Sequence, residues 1–176
     1  MEVHDALASF RETRGRLIAD SGCKRSVAGK SWHEETQAWL AEKGLRAVEE
    51  PCDDKFRFGD GRLVPATRSW KYPCGIHGYS GTLTIAEVPK DCPPWLSVTG
   101  MKELGVVLDF QQGEIAVKDR REPMKMLESG HPVLDMDAYD PNVKFGDEFC
   151  LVTSTPPDEA SEDEDDDDED CPDTLV

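Results

Sequence analysis

Asp20-Ser21-Gly22 follows directly on the apolar run Leu17-Ile18-Ala19. A short apolar run that ends in polar and turn-forming residues reads as a buried strand entering a loop. The strand delivers the Asp20 carboxylate at the end of a rigid element, where its surroundings can tune its hold on a proton. Gly22 lets the backbone turn sharply close to a reacting centre. A carboxylate so placed suits general acid–base work on a polar bond. Taken alone the triplet is also an ordinary polar turn, so its meaning depends on the elements around it.

Those elements are mostly short strands. Arg14–Ala19 reads as a strand and Asp20–Lys30 as a loop. Ser31 and Glu34 have the spacing of a capping box, opening a helix through about Lys43 that Gly44 ends. Trp32, Ala38, Trp39 and Leu40 would face a core. Phe56–Phe58 alternates, and Gly59-Asp60-Gly61 is a strong hairpin signal. The return strand runs from about Arg62 to Tyr72, with Pro65 marking an edge. Cys74–Gly78 reads as a second turn and Tyr79–Val88 as a strand. Trp95–Val98 is a short strand, and Thr99–Leu104 a short helix stopped by Gly105. Val106–Phe110 is expected to be buried, Glu114–Val117 to return, and Pro123–Leu127 and Pro132–Met136 to add two strands. The pattern predicts a mainly β domain with one or two short helices. The expected organisation is a leader at 1–13, a domain at 14–136, and a linker with a disordered acidic tail at 137–176.

Charge supports that division. The chain has 176 residues and a net charge of -17. Twelve acids and no base lie between Asp158 and Asp173, leaving 25 acids against 20 bases elsewhere. The tail is expected to stay solvated and to offer a contact for basic proteins. The body has no basic face that would suit nucleic acid. No segment approaches the ~20 apolar residues that span a bilayer, and the charged N-terminal stretch has no export-signal core. Cysteines at 23, 52, 74, 92, 150 and 171 show no Cys-x-x-Cys spacing. An intracellular, cytoplasmic protein with reduced thiols and neither metal nor cofactor is the expectation. His33, His77 and His131 are expected at surface or turn positions.

The order of elements resembles the retropepsin family, the aspartic proteases of retroviruses and retrotransposons. The likeness runs from about Arg14 to Phe110. It rests on Asp20-Ser21-Gly22, the glycine-rich hairpin Phe58-Gly59-Asp60-Gly61, the strand Tyr79–Val88, Trp95-Leu96-Ser97, and the run Met101–Phe110. The wording FRFGDG, LGVVLDF and SGHPVLDM is most similar to the protease regions of copia-type polyproteins. The resemblance implies a small closed β-barrel and aspartic endopeptidase activity. Asp20, Ser21 and Gly22 would be the catalytic loop, and Phe58–Gly61 a flap over an extended polypeptide substrate. Ser97 stands where the family carries glycine, Val98 and Thr99 occupy the place of a common basic residue, and Cys23 replaces Ala or Ser.

Aspartic proteolysis needs two adjacent carboxylates that share one proton. This chain offers one Asp-Ser-Gly. Neither Asp60 nor Asp109 is followed by Ser/Thr-Gly, so the second carboxylate must come from another copy, in a two-fold homodimer. The alternative reading is a catalytically inactive protein-interaction module on the same fold. Ser97 favours that alternative, and the intact Asp-Ser-Gly favours the enzyme.

Overall fold

The computed structural model describes residues 12–151. The expected acidic tail and most of the expected leader lie outside them. The described chain is mainly β. Thirteen strands are distributed over three sheets with two α-helices.

The strands are β1 (Arg16–Ala19), β2 (Val27–Gly29), β3 (Val48–Glu50), β4 (Lys55–Arg57), β5 (Leu63–Pro65), β6 (Arg68–Ile76) and β7 (Tyr79–Val88). They continue with β8 (Trp95–Leu96), β9 (Val106–Asp109), β10 (Glu114–Val117), β11 (Arg120–Pro123), β12 (Lys125–Met126) and β13 (Pro132–Asp135). Helix α1 spans Lys30–Glu42 and α2 spans Val98–Leu104. The main sheet has the order β12-β13-β1-β8-β2-β7-β6-β3. A second sheet, β11-β10-β9, and the hairpin β4-β5 complete the body.

Helix α1 forms because Trp32, Thr36 and Leu40 recur every four residues and make one buried stripe. Its N-cap is Gly29 with no side-chain bond, so Ser31 is not the cap. Ala38 is exposed, because it lies off the Trp32–Leu40 stripe. The long β6–β7 hairpin pairs from Arg68↔Glu87 to Ile76↔Tyr79, so the second turn is only His77-Gly78. The expected return strand from Arg62 to Tyr72 is split between β5 and β6. Leu17, Tyr72, Ile85, Leu96, Ile115, Leu134 and Met136 are fully or almost fully buried together with Trp32 and Leu40. Side chains of this size contribute about 1.5–3 kcal/mol each on full burial.

The closed β-barrel is not what the described residues form. The main sheet is open, with β12 and β3 at its ends. The reason lies in how β6 is occupied. One edge is paired with β7 along its whole length, and β3 covers Ser69–Lys71 on the other. Only the last residues of β6 remain for the chain leaving β13, and they make a single isolated bridge, Gly75 to Asp137. Gly75 N–H donates to Met136 O at 2.7 Å, and Ala138 N–H donates to Gly75 O at 2.8 Å. A Cβ at position 75 would stand 2.4 Å from the Tyr139 nitrogen, so this contact requires glycine.

Residues 137–151, expected as linker, run back along the body. Arg46 N–H donates to Phe149 O at 2.8 Å, and Phe149 is buried. β9, expected to be buried, is a sheet edge with Val107 exposed.

Candidate active site

β1 is apolar because both of its neighbours cover it: Leu17, Ile18 and Ala19 are all buried. β13 runs antiparallel on one side, with Leu17 opposite Leu134. β8 runs parallel on the other, with Ile18 opposite Trp95 and Ala19 opposite Leu96. Asp20 is the first residue past this buried strand, and its N–H still donates to Leu96 O at 3.1 Å. The backbone of Asp20 is therefore fixed by the sheet while its side chain is half-exposed.

The loop folds on the carboxylate itself. Gly22 N–H donates to Asp20 Oδ1 at 2.9 Å, and Cys23 N–H donates to Asp20 O at 3.3 Å. A Cβ on Gly22 would sit 3.2 Å from Asp20 Oδ1, tighter than ordinary contact. Glycine therefore keeps this turn closed around the acid. Ser21 and Gly22 are exposed.

A second layer holds the loop from behind. Val98 N–H donates to Cys23 O at 2.8 Å, and Thr99 Oγ1 donates to Lys24 O at 3.1 Å. Ser97 is almost fully buried and caps α2, accepting from Gly100 N–H at 3.0 Å. Its own N–H donates to Ser26 Oγ at 3.0 Å, and Ser26 Oγ donates to Ser97 Oγ at 3.2 Å. Ser97 is thus a strut joining the helix to the loop. The Cys23 thiol donates to Arg25 O at 2.8 Å. Burial, opposed by that bond and aided by the nearby Asp20 charge, raises its pKa. Cys23 is therefore a neutral thiol, unsuited to act as a nucleophile.

The hairpin lies on the same side of the sheet as a small cluster of Val27, Ala86, Val88 and Cys92. Phe56, Phe58 and Val64 pack against that cluster, as do Cys23 and Trp95. The loop and the hairpin predicted from sequence therefore share one piece of core. At the tip, Gly61 N–H donates to Phe58 O at 2.8 Å and Arg62 N–H to Asp60 Oδ1 at 3.0 Å. At the base, Arg25 pairs with Asp54. A groove of about 520 Å³ opens between Lys24–Ser26, the stretch Glu50–Asp54, and Ser97 with Thr99.

The two carboxylates weighed from sequence as partners for Asp20, Asp60 and Asp109, are both engaged elsewhere. Asp60 is committed to Arg62 N–H and to Lys90, whose Nζ is 3.2 Å away. Asp109 accepts from Gln112 N–H at 2.9 Å. No three His, Cys, Asp or Glu side chains converge as a metal site among the described residues.

Among the histidines, one departs from its expected place. His33 is buried, not at the surface. Its Nδ1 accepts from Tyr72 OH at 2.7 Å, and Nε2–H donates to Ala86 O at 3.1 Å. Burial lowers its pKa to about 4, so it is neutral. The available signal was its position beside Trp32 at the head of the amphipathic stripe. His77 sits in the β6–β7 turn with φ 49°, and His131 is exposed. No helix among the described residues is long and apolar enough to cross a membrane. Compared with known proteins, no family model matches the chain, and no curated protein or solved structure matches it.

Proposed function

We propose that this chain is one half of a homodimeric aspartic endopeptidase of the retrotransposon polyprotein type. The observation that carries the reading is the mounting of Asp20. It leaves a buried strand that runs parallel to β8, is tied to Leu96 O, and is wrapped by a glycine turn that leaves its side chain accessible. An ordinary polar turn has no need of this second strand or of the Ser26–Ser97 strut behind it.

In the dimer, two copies of Asp20 face each other across the two-fold axis. Carboxylates a few ångströms apart cannot both ionise cheaply, so they hold one proton between them. The ionised Asp20 takes a proton from a water as its oxygen attacks the scissile carbonyl carbon. The protonated Asp20 donates to the carbonyl oxygen, and a proton then passes to the departing amine. Ser21 hydrogen-bonds across the dimer and steadies the paired loops. The Phe58–Gly61 hairpin closes on an extended peptide and excludes water. The dimer is supported by an edge on which a mate could add: among the described residues β9 ends its sheet, with Val107 53% and Phe110 64% exposed at or beside it.

The test is peptide cleavage against protein concentration, with and without the transition-state mimic pepstatin. The proposal expects pepstatin-sensitive turnover that rises with the square of concentration below the dimer midpoint. It also expects Asp20→Asn to abolish turnover with the fold intact. A well-folded dimer that cleaves nothing in a broad peptide library would favour the binding module on the same fold.

A further inference from the structure

We propose that Lys90 is a latch for the tip of the β4–β5 hairpin, and thereby a positioning residue for peptide cleavage. The role in cleavage rests on the function proposed above, whereas the latch rests on geometry alone. Lys90 Nζ lies 3.2 Å from Asp60 Oδ2 and 4.7 Å from the centroid of the Phe58 ring. One side chain therefore grips the acid at the turn and the aromatic ring that precedes it, by an ion pair and a cation–π contact.

The post that carries Lys90 is rigid. It follows fully buried Val88, and two residues later Cys92 O accepts from Gly29 N–H at 2.9 Å. Pro94 O then accepts from Ile18 N–H at 2.8 Å, and Leu96 O from Asp20 N–H at 3.1 Å. The latch and the catalytic loop thus hang from one continuous segment, residues 88–96.

Apart from the packing of Phe58 on the small apolar cluster, the hairpin has little to hold its tip. Its strands are three residues each, and a two-stranded ribbon of that length is marginal by itself. Its base is fixed by the Arg25–Asp54 pair and by Ala66 N–H donating to Asp54 O at 2.8 Å. Its remaining tip bonds are internal, Arg62 N–H to Asp60 and Arg57 Nη1 to Gly61 O. Among the described residues, Lys90 makes the polar contact between tip and body. A peptide entering beneath the tip must release it, and closure restores it. The Arg62 N–H and Lys90 hold the Asp60 carboxyl below the usual carboxylate range, so the pair stays charged in mild acid.

The experiment is hydrogen exchange of amides 58–62 in the full chain, for wild type, Lys90→Ala, Lys90→Arg and Asp60→Asn, with cleavage kinetics alongside. Lys90→Ala should speed tip exchange about three- to tenfold, the scale of one exposed ion pair with a cation–π contact. Exchange in β6 and β7 should not change, and Lys90→Arg should restore the wild-type rate. Salt at about 1 M should speed the tip in wild type more than in Lys90→Ala. In cleavage, Lys90→Ala should raise KM with kcat little changed, as for lost uniform binding. Equal tip exchange in wild type and Lys90→Ala overturns the latch. Altered exchange with an unmoved KM overturns the positioning role. Altered exchange in a protein that never cleaves leaves the latch standing and removes the protease.

Discussion

Ser97 and Ser26 bond to each other twice, Ser97 N–H to Ser26 Oγ at 3.0 Å and Ser26 Oγ to Ser97 Oγ at 3.2 Å. This pair lies behind the Asp20 loop and at the N-cap of α2. From sequence, a side chain at 97 was a departure that bears on the loop. In the fold its buried hydroxyl has two polar partners: it caps Gly100 N–H and accepts from Ser26 Oγ.

Ser97→Ala is therefore expected to destabilise the domain by about 1–2 kcal/mol, through a lost cap and a buried hydroxyl left short of a partner. Ser97→Gly should cost less, about 1 kcal/mol, because glycine is tolerated at an N-cap. Urea unfolding of the two variants checks the order. Equal stability of Ser97→Gly and wild type would show that the strut carries no energy.

His33 sets an acid limit on the fold. Burial lowers its pKa to about 4, whereas an unfolded histidine titrates near ~6.5. The unfolded chain then binds the extra proton first, so stability falls as pH drops from about 6.5 to about 4 and levels off below. The full loss is of order 3 kcal/mol. His33→Gln should flatten this part of the curve, while losing some stability at neutral pH through imperfect bonds to Tyr72 and Ala86. Thermal midpoints between pH 4 and 7 for both proteins decide it, and parallel curves would exonerate His33.

Gly75 offers a test of how the sheet curls. A Cβ there would lie 2.4–2.5 Å from backbone atoms of Ala138 and Tyr139. Backbone cannot yield as a flexible side chain can, so Gly75→Ala should cost about 1–3 kcal/mol, the scale of overpacking a filled site. Loss of the 136–138 contact should also speed amide exchange at Ala138, whose N–H donates to Gly75 O. Unchanged exchange at Ala138 would mean that the bridge is not what holds the chain after β13.

What the sequence disclosed follows from the length and regularity of each signal. Tyr79–Val88 is ten residues of strand, and its pattern fixed both ends. The hairpin at Gly59–Gly61 and the stop at Gly105 were legible because glycine marks turns locally. β2 and β3 were hidden, since three residues carry no period and their partners lie 59 and about 20 residues away. The partners of His33 were hidden for the same reason: Ala86 and Tyr72 come from distant strands. β9 looked buried because Val106-Val107-Leu108 is apolar, yet its outer edge has no neighbour in the described chain. The candidate site was legible as a triplet. The strut of Ser26 and Ser97 was not, because two serines 71 residues apart announce nothing until β2 and β8 meet at Val27 and Trp95.

The pH profile of cleavage joins His33 to Asp20. A dyad that shares one proton gives a bell-shaped rate, with an acid limb where both carboxyls are protonated and a basic limb where both are ionised. His33 weakens the fold between about pH 6.5 and about 4, a window in which an acid limb of cleavage can have a second cause. Unfolding lowers the rate below about pH 6.5, and a single profile would confuse that loss with protonation of the dyad. His33→Gln separates the two causes because it lies outside the Asp20 loop. If the acid limb belongs to the dyad, it should stay in place in His33→Gln when rates are taken over seconds on folded dimer. If it moves to lower pH in step with the thermal midpoint, the limb reports unfolding, and the dyad must be sought in the basic limb alone. Asp20→Asn, whose amide oxygen can still accept from Gly22 N–H, should erase both limbs while leaving the stability profile of His33 unchanged.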